Sequence, residues 1–128
     1  MANFLDVKNM VLDMGLVIVE EDKEEELIVV EDEERGIKGM IIDCEDELLI
    51  VEQPIGKFSS AHYKWFLQKS RLLPFGAFVL DEESDMILFR NTLRLDTLDR
   101  EELESTINSL ELFFAEYGDE LIKMSKEK

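Results

Sequence analysis

Apolar residues along the chain follow two rhythms, and the switches between them mark out the elements. Phe4, Val7, Val11 and Met14 recur at spacings of three and four, which is one face of a helix. Asn3 stands where a side-chain oxygen caps a helix start, and Gly15 where a left-handed residue closes one. A first helix from Asn3 to about Met14 is predicted. The next forty residues break into short β-rich runs at 16–19, 27–30, 40–42 and 48–51, separated by acidic or glycine-containing stretches. Such runs predict an antiparallel meander. The first could be only a helix exit, so three or four strands are expected. Residues 43–47 read as the turn between the last two, and Pro54 with Gly56 as the end of the sheet.

Ser59 or Ser60 can cap a second helix reaching about Leu72, with Pro74 closing it. Tyr63, Trp65, Phe66, Leu67, Leu72 and Leu73 spread around more than one side of it, which predicts burial on several faces. Residues 75–80 and 86–93 form the clearest hairpin, joined by the polar turn 81–85. The last helix has the strongest signal. Asp99 and Glu102 make a capping-box start, and Leu103, Ile107, Leu110, Phe114, Tyr117, Leu121 and Met124 then alternate steps of four and three. Acids crowd its first turn and Lys123, Lys126 and Lys128 its end, as the helix dipole favours. Gly118 interrupts the stripe, as a close backbone approach or an early helix end.

The order helix, strands, helix, β-hairpin, long C-terminal helix predicts an α+β fold. With 128 residues, no internal repeat and no linker-like segment, one domain over 1–128 is expected.

Charge narrows the partners. Asp and Glu number 31 against 14 Lys and Arg, a net charge of −17. A body with that field repels phosphate backbones and anionic lipid headgroups, so neither nucleic acid nor a membrane surface is an expected partner. A cationic or apolar protein surface is easier to accommodate, and the same charge also serves solubility. No apolar run approaches the roughly 20 residues of a spanning helix, and charges interrupt the first residues too early for a secretory leader. The single cysteine, Cys44, rules out an intrachain disulfide. A cytoplasmic protein is expected.

Catalytic chemistry finds little footing. One Cys and one His cannot build a structural zinc site. An EF-hand counted from Asp81 puts Met86 at position 6 and Thr92 at position 12, where Gly and Glu are required. Gly36 and Gly39 precede a strand rather than a phosphate-cradling helix start. Nothing in the sequence brings Cys44 to the one histidine, His62, as a nucleophile needs its base. Catalytic, cofactor-binding and metal-binding residues are accordingly none, and no cofactor is expected. Tyr63, Trp65 and Phe66 are the candidate protein-interface residues, since such side chains anchor interfaces; the alternative is that they fill the monomer's core.

Three stretches carry a family resemblance: QKSRLLPFGAFVLDE at 68–82, ILFRNTL at 87–93 and LDREEL at 98–103. Together they resemble the YbjN-like proteins and the class I type III secretion chaperones (Tir chaperone, CesT-like). The resemblance implies an α+β fold of the order just read, usually dimeric, with apolar patches that hold a segment of a client protein, and it supplies no catalytic residue. The expected function is that of a non-enzymatic protein-binding module, a homodimeric chaperone-like or adaptor protein with a protein client or regulatory partner. A small-molecule-sensing or signal-regulatory domain is the alternative, and would need an enclosed pocket with convergent polar groups.

Overall fold

The computed structural model describes residues 1–127 and carries three α-helices on a six-stranded sheet. Helix α1 spans Phe4–Asp13 behind a reciprocal capping box between Asn3 and Asp6. Four strands follow: β1 (Val17–Asp22), β2 (Leu27–Asp32), β3 (Ile37–Glu45) and β4 (Leu48–Lys57). A 3-10 turn, Ser60–His62, leads into α2 (Tyr63–Ser70). The hairpin β5 (Ala77–Leu80) and β6 (Met86–Arg94) precedes α3 (Arg100–Ser125), whose start is a capping box between Asp99 and Glu102. Every strand pair is antiparallel, in the order β1-β2-β3-β4-β6-β5.

The α+β order is the one the sequence predicts, with all four runs of the first group forming strands. Several boundaries differ, each for a physical reason. Asp43, Cys44 and Glu45 belong to β3, and only Asp46 and Glu47 turn the chain, with Asp46 at φ 54°. Pro54 and Gly56 do not end the sheet. Pairing with β3 stops at Glu52, so the missing N–H of Pro54 falls beyond the doubly paired part of β4, and a bulge between Pro54 and Gly56 absorbs the irregularity against β6. Helix α2 is shorter than expected and buries one face, with Phe66 inside and Leu67 71% exposed. Gly118 neither ends α3 nor admits another backbone, because a Cβ there would meet nothing within 4 Å. Lys123 and Lys126 stand at the end of α3; Lys128 lies outside the described residues.

Side chains alternate across a sheet, and the register shows which side is filled. Ile28, Val30, Met40, Ile42, Leu49, Val51, Ile87 and Phe89 point to one side, where they join Val7 and Val11 of α1, Phe66 of α2 and Leu103, Ile107, Leu110 and Phe113 of α3 in one core. All three helices therefore lie on one side of the sheet. Polar ties set the docking of α3. Ser109 Oγ donates to the Phe75 carbonyl (2.7 Å) and accepts from its N–H (3.1 Å), and the Asn91 amide donates to Thr106 Oγ1 (2.9 Å).

Two glycines give a matched test. Gly76 sits at φ 84°, where a Cβ would lie 2.6 Å from the Phe89 ring. Gly76→Ala is expected to cost about 2–4 kcal/mol from left-handed strain plus overpacking. Gly118→Ala, with open space around it, is expected to gain about 0.5–1 kcal/mol from helix propensity. Urea unfolding of the two variants beside the parent protein measures both.

Candidate protein-interaction surfaces

The aromatic residues of α2 are locked into a chain of edge-to-face contacts. Phe66, 2% exposed, meets Phe58 at 4.8 Å, Phe78 at 5.4 Å and Trp65 at 5.0 Å between ring centroids. Trp65 reaches Phe113 and Tyr117 of α3 at 6.0 Å each, and Lys69 caps the Trp65 and Tyr117 rings at 5.9 and 4.7 Å. Such contacts favour one fixed geometry. Of the three aromatics singled out in the sequence, Phe66 is thus a core residue, while Tyr63 and Trp65 are half-buried and pack against the core from outside. The structure does not gather them into one exposed patch.

Exposed apolar surface lies beside them instead. Leu67 and Leu80 flank a small trough of about 150 Å³ between α2 and the edge strand β5, walled also by Tyr63 and Ile87. Leu80 is 45% exposed; Leu72 and Phe75, in the link to β5, are exposed as well but line separate hollows against α3. The sequence carried a signal for Leu67. A helix of eight residues on a sheet buries one face, and Leu67 follows Phe66 by one position, about 100° around the helix axis.

The second surface is the sheet face opposite the helices. Leu27, Val29, Ile41, Ile50, Val79 and Leu88 fall there by register, and none of them belongs to the core or packs against it. Ile50 is buried, at 8% exposure, and the others are partly exposed. Asp43 and Glu52 sit among these residues, paired across the ladders with Ile50 and Ile41 respectively. Glu52 accepts a charge-assisted hydrogen bond from Arg90 Nη1 (3.1 Å). Burial raises the Asp43 pKa above the ordinary value, helped by the negative charges of Glu45, Glu25 and Glu52.

A helix-backed antiparallel sheet with one bare face, in this element order, is the frame on which comparison with known proteins rests. The sequence matches the CesT_Tir_1 family over residues 1–127. The chain belongs to the CesT_Tir_1 family. No match was found among curated protein sequences. The chain is similar in fold to the crystal structure of YbjN from E. coli, with a TM-score of 0.65 at 10% identity, covering 92% of both chains. It is similar to the HopA1–SchA chaperone–effector complex, with a TM-score of 0.63 at 11% identity, over 96% of this chain and 94% of that one. It also resembles the Yersinia pestis type III secretion chaperone SycH, solved with a stable fragment of YscM2, with a TM-score of 0.55 at 18% identity over 92% and 95%.

The residues considered for chemistry in this CesT_Tir_1 chain are engaged elsewhere. Cys44 lies on the core side of β3 opposite Leu49, whereas His62 Nε2 meets Glu127 at 3.1 Å near the end of α3. Burial, with the negative charges of Glu26 and Asp43, pushes the Cys44 thiol up to about 11, which suppresses the nucleophilic thiolate. Among the described residues no group of three or more His, Cys, Asp or Glu is arranged to hold a metal ion, and no helix is long and apolar enough to cross a membrane. An open groove of about 440 Å³ lies between β3–β4 and the second half of α3. Two of its polar side chains are spent locally. The Gln53 amide donates to the carbonyls of Lys38 (2.6 Å) and Pro54 (2.8 Å), and Ser125 Oγ donates to the Ile122 carbonyl.

The thiol makes this testable. At pH 8, Cys44 is expected to react with a disulfide reagent about a hundredfold more slowly in the folded protein than in denaturant, following its smaller thiolate fraction. Stopped-flow absorbance compares the two, and equal rates would show an ordinary exposed thiol. The sign for stability follows from the same shift. The unfolded thiol ionises first, so Cys44's contribution is complete below about pH 9, the usual thiol value, and is lost towards 11.

Proposed function

We propose that this protein is a chaperone-like module that binds other polypeptides without transforming them, and that it works as a homodimer. The observation that carries this reading is the open sheet face: one side of the sheet carries the core and all three helices, while the other displays partly exposed apolar residues that no helix among the described residues covers. Membership of the CesT_Tir_1 family supports it, as does the likeness to two structures solved with a protein partner bound to a chaperone. The protonated Cys44 thiol, on a different element from His62, which meets Glu127, favours binding over catalysis. The sensing alternative has weaker support, because the groove beside α3 is open and its Gln53 and Ser125 side chains already donate to backbone carbonyls.

For the dimer, the patch of Leu67 and Leu80 on α2 and β5 is the natural contact, with Tyr63 beside it. A two-fold contact through an edge strand and its covering helix buries one apolar patch against its own copy. Leu67→Asp is expected to yield monomer with little change in melting temperature, since the side chain is exposed in the free chain. Trp65→Ala is expected to cost stability on the order of 2–3 kcal/mol, because its ring packs on Phe66, Phe113 and Tyr117. Analytical ultracentrifugation at micromolar concentration separates the two effects, and a monomeric parent protein would contradict the dimer. Affinity capture of the tagged protein from its native cell should bring down a partner polypeptide in near-stoichiometric amount; recovery of the bare protein would contradict the client role.

A further inference from the structure

The open sheet face has a chemical character that selects its partner. Its apolar residues run across β2, β3, β4, β6 and β5, which at roughly 4.8 Å per strand span about 19 Å. Asp43 stands partly buried on β3, the second of these five strands, between Leu27 and Ile50 on the neighbouring strands. Among the described residues its carboxylate has neither an ion pair nor a hydrogen bond. The charged groups around it are Glu25 of the β1–β2 turn, Glu45 of its own strand and Glu52 of β4, all acidic. Two cations of β6 fall on this face by register, Arg90 and Arg94, and they are held by Glu52 and Asp96 respectively. Lys23 lies in the turn with Asp22, Glu24, Glu25 and Glu26, which outnumber it. At the far end Val79 and Leu88 floor a hollow of about 420 Å³ walled by Asp81, Glu82 and Glu83.

An apolar surface with an unpaired carboxylate set among its residues and acids at both ends calls for an apolar ligand carrying cations. A second copy would bring Asp43 and its acidic neighbours against their own kind. A nucleic acid would bring phosphates. We infer that the open sheet face docks a basic amphipathic segment of a partner polypeptide, its apolar side lying across Val29, Ile41 and Leu88 and one Lys or Arg pairing with Asp43. This rests on the protein-binding reading above and names the class of segment bound. The cost of holding Asp43 ionised in these surroundings is recovered when a partner's cation arrives, since a charge-assisted pair at a desolvated site is stronger than one in water.

The test uses the full-length protein and synthetic peptides of about 14 residues, some 21 Å long as helices. One is amphipathic Leu–Lys, one is its Leu–Glu counterpart, and one is a Leu–Lys peptide of scrambled order and equal charge. The amphipathic Leu–Lys peptide is expected to bind in calorimetry, and the other two to bind at least tenfold more weakly. Asp43→Asn should weaken binding about tenfold, the loss of one charge-assisted pair, and Ile41→Thr should weaken it as well. Glu33→Gln, which removes an equal charge from the exposed 3-10 turn after β2, should change it less than twofold. Asp43→Asn should melt no lower than the parent at pH 7, because it removes a charge that the fold disfavours. Carbodiimide cross-linking of the unsubstituted protein to the peptide, mapped by mass spectrometry, needs no variant and should join peptide lysines to Asp43 or Glu52. Equal effects of Asp43→Asn and Glu33→Gln, equal binding of the scrambled peptide, cross-links confined to residues 22–26, or loss of peptide binding as the protein self-associates would each overturn the proposal. If the α2–β5 dimer persists while peptide binding fails, the docking proposal alone is wrong.

Discussion

One asymmetry governs this molecule: three helices and one sheet meet on a single side. The α3 residues Leu103, Ile107, Leu110 and Phe113 fill the space above β2, β3, β4 and β6, and α1 and α2 close the two flanks with Val7, Val11 and Phe66. Burying a large aliphatic side chain is worth about 1.5–3 kcal/mol, so this layer dominates the favourable side of folding. The remaining features position it. The Ser109–Phe75 bonds hold α3 to the chain entering β5, and Arg100 donates to the Asp13 carbonyl at the end of α1. The N–H of Ala2 bonds the Leu95 carbonyl just past β6, tying the chain's beginning to the exit of its last strand.

Filling one side leaves the other without cover, and here the strand sequences matter. Runs such as Leu27 to Val30 and Leu48 to Val51 are apolar at both parities, a pattern usual in strands covered on two faces. In this chain the second cover is absent. The residues that would meet it are not simply solvent-facing leftovers, because acids are interleaved with them at Asp43 and Glu52. Such interleaving lowers the hazard of an exposed apolar sheet and gives the face a sign of charge. A bare apolar face suits a protein whose task is to lend that face to another chain.

Where local pattern controls the outcome, the sequence was informative. The stripe along α3 and its Asp99–Glu102 cap are properties of neighbouring residues and needed no knowledge of the fold. The same holds for the hairpin around residues 81–85 and for α1. The legible part stopped where long-range pairing decides. Asp43 to Glu45 read as a turn because two of the three are acids, but a strand with one uncovered face tolerates acids on that side while Cys44 packs on the other. Pro54 read as a stop because the end of β3 pairing at Glu52 is invisible locally. The apolar residues of α2 read as buried on several faces, whereas Phe66 turns inward, Trp65 packs against α3 and Leu67 stands exposed. Family resemblance reached the overall architecture, because the stretches that carry it span α2, the hairpin and the start of α3, the elements that frame one end of the sheet.

The claim that one face of the sheet stands open can be read directly in solution. Methyl groups of the free protein would be followed by NMR as a soluble paramagnetic agent is added. The account predicts strong attenuation at Val29, Ile41 and Leu88 and little at Ile28, Ile42 and Val51, their neighbours on the same strands or on the adjoining one. Equal protection of both sets would mean that the face is covered in the free protein, and the case for a lent binding surface would fall with it.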